Sequence, residues 1–286
     1  MTTPTVVQAD PVRDTPGSAM SLLERRVTLS TVGILVGLAA LAWYLTVRQA
    51  AAMTGMVTGL SQVGTRAPAD IAPIIFMAMW LTMMVAMMFP TVAPMVLVHR
   101  AVVQRRGEGW APTATFIVGY LLVWTAIGLL PLAAFVALRN LRGTGTPNWL
   151  VIGSAAALVA AGLYQFTPWK RLCLRACRTP FAFVIDHDFG GGNKSALRAG
   201  ISHGAYCLGC CWALMLVLIV VGLMNLAWMA AIALIFLAEK NWRYGVALTR
   251  LAGTAVTALG FAVLIYPGLL TWLSGGTPPS AMGGHM

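Results

Sequence analysis

Charge is scarce in this chain. Only 9% of its 286 residues are Asp, Glu, Lys or Arg, against about 25% in an ordinary soluble domain. Acid is scarcer still, with eight Asp and Glu beside nineteen Lys and Arg. That poverty excludes a soluble fold of ordinary composition. No polar stretch is long enough to build a core of its own. Histidine is limited to four residues, which argues against a multi-histidine copper oxygenase. No G-x4-G-K-[ST] loop is present, so transport driven by the chain's own nucleotide hydrolysis has no basis. The net charge of +11 invites a nucleic-acid reading. The basic residues sit in short loops between apolar runs, with no basic face interleaved with aromatics, and so they point away from nucleic acid.

What the chain has instead is apolar length, 59% of it hydrophobic. Seven runs approach the roughly 20 residues that a helix needs to cross a bilayer, at about 28–47, 71–98, 112–138, 148–167, 203–222, 224–239 and 247–273. The sixth is short, and with the fifth it reads alternatively as a re-entrant pair. The expectation is an all-α, polytopic transmembrane bundle of about seven spans occupying 28–273. A disordered cytoplasmic tail is expected to precede it at 1–27 and a disordered tail to follow it at 274–286, with a cytoplasmic loop at about 168–202. The N-terminal stretch lacks the pattern of a signal peptide, and His285 in the other tail is given no role.

Orientation follows from the cations. With the N-terminus in the cytoplasm, fifteen of the nineteen Lys and Arg fall on inner segments, and only Arg48, Arg66, Arg139 and Arg142 fall outside. The positive-inside rule therefore places the N-terminus inside, in a multi-pass protein of a bacterial cytoplasmic membrane. Glu239 and Lys240 read as charges at the cytoplasmic boundary, either an ion pair or topology signals.

Against this background the stretch His203-Gly-Ala-Tyr-Cys207-Leu-Gly-Cys210-Cys211-Trp-Ala-Leu-Met215 stands out. Positions 203, 207, 210, 211 and 215 follow steps of three and four, so one helical face carries an imidazole, three thiols and a thioether. These are soft ligands that suit copper(I) and similar thiophilic ions. The competing reading is packing, in which small residues such as Gly204 and Gly209 let helices approach.

A second soft patch lies in the second run, which holds seven of the sixteen methionines within residues 77–95. Met84, Met87 and Met88 are its candidate ligands. Methionine also fills core gaps, so packing is the alternative. Pro90 is expected to kink this helix and free the carbonyl of residue 86. The topology puts Met88 and Met95 at the depth of Cys207–Met215. Met224, Asn225, Trp228 and Met229, with Met77 and Met79, suggest an outer way station. For Asn225 the simpler reading is a helix cap, and for Trp228 an interfacial anchor. In the 168–202 loop, Cys173 and Cys177 would share one face of a helix and extend the soft-ligand set. Asp186-His187-Asp188 offers harder ligands or merely a polar turn.

Three motifs resemble a known family: Trp80-x2-Met83-x2-Ala86-Met87-Met88-x-Pro90, His203-Gly-x-Tyr206-Cys207-x-Gly209-Cys210-Cys211-Trp212, and Gly222-x-Met224-Asn225-x2-Trp228-Met229. The family is that of bacterial predicted metal-binding integral membrane proteins, first defined as a domain of unknown function. Some of its members resemble copper-delivery proteins for polyphenol oxidases. The resemblance covers roughly residues 75–270. It implies a polytopic helical protein with a metal site, and a copper-receiving protein or membrane complex as partner besides the lipid bilayer.

The resulting expectation is a copper(I) chaperone or transporter rather than an enzyme, with another soft metal as a variant of the same chemistry. The alternatives are a membrane thiol–disulfide oxidoreductase built on Cys207-x2-Cys210, a mercury-type importer, and a structural subunit of a membrane complex. Location argues against the oxidoreductase, because all five thiols fall on the reducing side.

Overall fold

A computed structural model describes residues 16–54, 72–140, 148–186, 191–223 and 225–273, all of it helix and connecting turns. The helices are α1 (Pro16–Thr54), α2 (Ala72–Arg105), α3 (Ala111–Asn140), α4 (Asn148–Tyr164), α5 (Pro168–Arg178), α6 (Pro180–Asp186), α7 (Gly192–Val221), α8 (Leu226–Asn241), α9 (Gly245–Ile265) and α10 (Gly268–Leu273). The all-α class is as the composition predicts.

The count of long apolar helices differs from the expected seven. Within α1, α2, α3, α7 and α9, five stretches are long and apolar enough to cross a membrane. A sixth arises only if α4 and α5, bent by 62° at their junction, count as one broken segment. The difference has a local cause. Pro168 stands at the first turn of α5 and Thr167 caps it, its hydroxyl accepting from the Lys170 amide at 3.3 Å. A proline tolerates a helix start and disfavours continuation from the preceding turn, so the fourth run ends at Tyr164. The sixth run becomes α8, with 16 residues, and the seventh breaks after Ile265. The expected loop at 168–202 is also largely helical. It holds α5 and α6, and α7 starts at Gly192, well before residue 203. His187 and Asp188 lie outside the described residues.

Two sequence-level expectations hold in detail. Asn225 caps α8, its side-chain oxygen accepting from the Trp228 amide at 3.3 Å. The proline at position 90 does free the carbonyl of Ala86, which accepts the Trp43 indole N–H of α1 at 3.0 Å. Without that donor a buried carbonyl would stand without a partner, at a cost of about 1–3 kcal/mol. The freed carbonyl thus ties α1 to α2.

The core lies where α3 and α7 pack side by side, flanked by α2, α5 and α8. Glycines set the separation. A Cβ on Gly200 would fall onto the Phe116 backbone of α3, and one on Gly204 would meet Val123 at 2.9 Å. Gly200→Ala is therefore expected to push α3 from α7 and to cost about 1–3 kcal/mol, as overpacking does. A lower apparent unfolding temperature in detergent checks this, and an unchanged midpoint would show that the helices can separate freely.

Candidate metal centre

The sulfur face of α7 is buried. Cys207, Cys210 and Cys211 are each at most 1% exposed, and their sulfurs lie within 4.8 Å of one another. Cys210 Sγ is 3.4 Å from Cys211 Sγ. No disulfide joins them, and all five cysteines of the chain are free thiols. Metal–thiolate bonds are about 2.3 Å long, which sets sulfurs around one ion roughly 4–4.6 Å apart in trigonal or linear geometry. The spacing of the three thiols thus matches a single soft ion with little rearrangement.

The short helix α5 closes this cluster from one side. Its two cysteines do share a face, as a three-residue gap on a helix requires. Cys177 Sγ lies 3.7 Å from Cys210 Sγ. Cys173 packs on α7 at Gly209, where an added Cβ would meet its sulfur at 2.6 Å. Gly209 therefore admits the second thiol-bearing helix, so close packing and a sulfur cluster are two aspects of one arrangement.

The methionine patch meets the cluster less directly than its depth suggested. Met84, Met87 and Met88 are buried, in a helix that packs chiefly on α1, α3 and α8. The link to α7 runs through a side chain of α8. Lys240 Nζ donates to Thr91 Oγ1 at 3.2 Å and to Cys207 Sγ at 3.2 Å. Thr91 in turn donates to the Met88 carbonyl at 2.8 Å and lies 4.0 Å from its Sδ. Met215 is buried one turn beyond Cys211 on the same helix.

His203 does not join the thiols. Its ring sits among aromatics, with centroids 5.2 Å from Phe183 and 6.1 Å from both Phe116 and Tyr120. Within the described residues the group close enough to share one ion is Cys207, Cys210 and Cys211. Of the outer methionines, Met224 lies outside the described residues, and Met79 and Met229 are buried on helices that pack together.

Glu239 and Lys240 do not pair with each other. Both are buried, and they part company. Glu239 takes Lys170 of α5 as partner at 2.9 Å, with Gln165 completing the Lys170 ammonium shell. Lys240 turns to the sulfurs. Adjacent residues on a helix point about 100° apart, so a consecutive pair serves two neighbours more readily than each other.

Sequence reasoning also passed over Tyr120, whose hydroxyl is 3.2 Å from Cys207 Sγ. The signal for Lys240 was present, because an ionisable residue ending an apolar run is by default a functional candidate. Tyr120 had no signal, since a tyrosine in an apolar helix is unremarkable until its neighbour is known.

Comparison with known families decides the assignment. The family described as "PpoB2: Copper chaperone" matches residues 77–263, a stretch that contains every sulfur and cation just described and leaves out α1. The chain belongs to this copper chaperone family. The resemblance drawn from the three motifs is thereby borne out, and family and thiol cluster together point to a metal-binding role with a copper-receiving protein downstream. Among curated proteins and solved structures, none matches the chain.

Proposed function

We propose that this copper chaperone is embedded in a membrane and holds copper(I) as cargo on Cys207, Cys210 and Cys211, with Cys177 of α5 as a further thiol and Met88 on the approach from α2. The observation that carries the reading is the buried, mutually adjacent thiol triad inside a bundle with five helices long enough to cross a bilayer. Thiolate and thioether ligands select copper(I) over harder ions.

Charge supports the same reading. With two of the three cysteines as thiolates and the third as a neutral thiol, the copper(I) centre carries a net charge of −1, and an uncompensated charge in an apolar interior is costly. The Lys240 ammonium, 3.2 Å from Cys207 Sγ, supplies the missing +1. The pair is then neutral and dry, which suits cargo held between helices. Before loading, the same ammonium hydrogen-bonds the sulfur that copper would take, so the pocket is not collapsed around a void. Release to a receiving protein needs an exposed route. Cys173 and Cys177 are only partly buried, and α5 is the short helix between the triad and the surface, so thiol-to-thiol passage through Cys177 is the shortest way out.

The test is copper content. Purified protein given copper(I) anaerobically is expected to retain about one tightly held ion, and a Cys207/Cys210/Cys211→Ser variant is expected to lose it. Elemental analysis after buffer exchange reads the result. Equal copper in both proteins would remove the proposal.

A further inference from the structure

A cleft of about 860 Å³ opens between α5 and the start of α9, on the side of α5 away from the thiols. Four guanidinium groups line it, those of Arg171, Arg175, Arg178 and Arg250, and no carboxylate does. The carboxylate of Glu239, whose backbone carbonyl Arg178 contacts, is committed to buried Lys170 at 2.9 Å. Arg178 is held in place, donating to the Glu239 and Trp242 carbonyls at 2.8 and 2.9 Å. Arg171, Arg175 and Arg250 are exposed. Four like charges converging without a counter-ion repel one another, so the cleft is complementary to an anion, and planar guanidinium forks match phosphate oxygens in particular.

The rest of the lining narrows the anion. Phe166, Leu172 and Val246 add apolar walls to the cleft, which a small inorganic ion would leave unused. The surroundings fix its level. The chain turns by 62° between α4 and α5, Trp169 lies in the first turn of α5, and Trp242, whose carbonyl Arg178 holds, and Tyr244 stand between α8 and α9; all three rings are at least half exposed. Exposed Trp and Tyr gather at the headgroup layer of a bilayer. Basic pockets between helices at that layer, on the cytoplasmic side where the cations of this chain concentrate, are suited to acidic headgroups.

We infer that this cleft binds the phosphate of an anionic phospholipid, with the four arginines on the headgroup and the apolar wall along an acyl chain. The inference rests on the bilayer reading and not on the copper site. A bound lipid would brace α5, the helix that carries Cys173 and Cys177, from the face opposite the thiols.

The probe is phosphatidylglycerol in mixed micelles, compared with phosphatidylcholine and with inorganic phosphate, read as thermal stabilisation of the full chain. Phosphatidylglycerol is expected to stabilise at low mole fraction, and neither control is. Each cation near an anionic headgroup contributes about fivefold in association. An Arg171→Gln/Arg175→Gln/Arg250→Gln variant should therefore need roughly a hundredfold more phosphatidylglycerol. The proposal is overturned if phosphatidylcholine stabilises equally, if inorganic phosphate alone reproduces the effect, or if the variant responds like the wild type. Should the variant not fold, native mass spectrometry of the wild type decides. Preferential retention of phosphatidylglycerol over phosphatidylcholine supports the site, and equal retention removes it. Release of the chain from membranes by alkaline carbonate would remove the bilayer reading itself. A carbonate-resistant chain without lipid preference would remove only this inference.

Discussion

Replacing Lys240 by leucine is expected to weaken copper(I) binding by about 2–4 kcal/mol, roughly thirty- to a thousandfold. The estimate comes from the Coulomb energy of unit charges about 4 Å apart at an effective dielectric constant near 20, which is about 4 kcal/mol, less the cost of desolvating the ammonium. Among the described residues, Lys240 is the cation that hydrogen-bonds Cys207 Sγ. Glu239 is spoken for by Lys170, and Tyr120 and Thr91 contribute only neutral dipoles. Lys240→Gln keeps a polar donor and loses the charge, so it should fall with leucine if charge is what matters. Copper(I) affinity by competition with a coloured chelator reads the effect. The unfolding temperature gives an independent control. Removing a buried ammonium from a thiol cluster should leave stability unchanged or raised, so weaker copper binding with undiminished stability separates an electrostatic role from a structural one. Unchanged affinity in both variants would show that the ammonium is irrelevant to the cargo.

The second large effect concerns folding. Glu239→Gln leaves the fully buried Lys170 ammonium facing Gln165 and a neutral amide. Breaking a buried pair from one side costs about 3–5 kcal/mol, because the remaining charge has no compensation. The expected result is a clear drop in apparent unfolding temperature. The Lys170→Met/Glu239→Leu double variant should recover most of it, since both charges then leave together. This pair also ties α5 to α8, and so holds Cys177 beside Cys210. The single variant should therefore lose copper as well as stability, and the double variant should regain stability first. A single variant as stable as the wild type would mean that water reaches Lys170.

How much of the site was legible in advance follows from how local each feature is. The three thiols on α7 were readable because steps of three and four fix a face within one helix. Cys173 and Cys177 were readable as a pair for the same reason. That α5 would fold back to bring Cys177 to Cys210 depended on the bend at Pro168, whose angle no local pattern specifies. His203 has the same spacing as the cysteines but is not in the group close enough to share one ion, and Phe183 of α6 and Phe116 of α3 pack near its ring. The methionines show the opposite failure. Their depth was expected to match that of the thiols, and in the structure Lys240 of α8 stands between Thr91, beside Met88, and Cys207.

By itself the sequence determined the all-helical class, the apolar length of its helices, the proline that frees a carbonyl on α2 and the shared face of Cys207, Cys210 and Cys211. Each of these follows from composition or from a period of a few residues. Only the tertiary structure decided that Lys240 faces sulfur, that Glu239 locks Lys170, that Cys177 lies beside Cys210 and that four arginines line one cleft. These contacts join residues dozens of positions apart, and they depend on how neighbouring helices tilt, bend and rotate, which packing sets and local sequence does not.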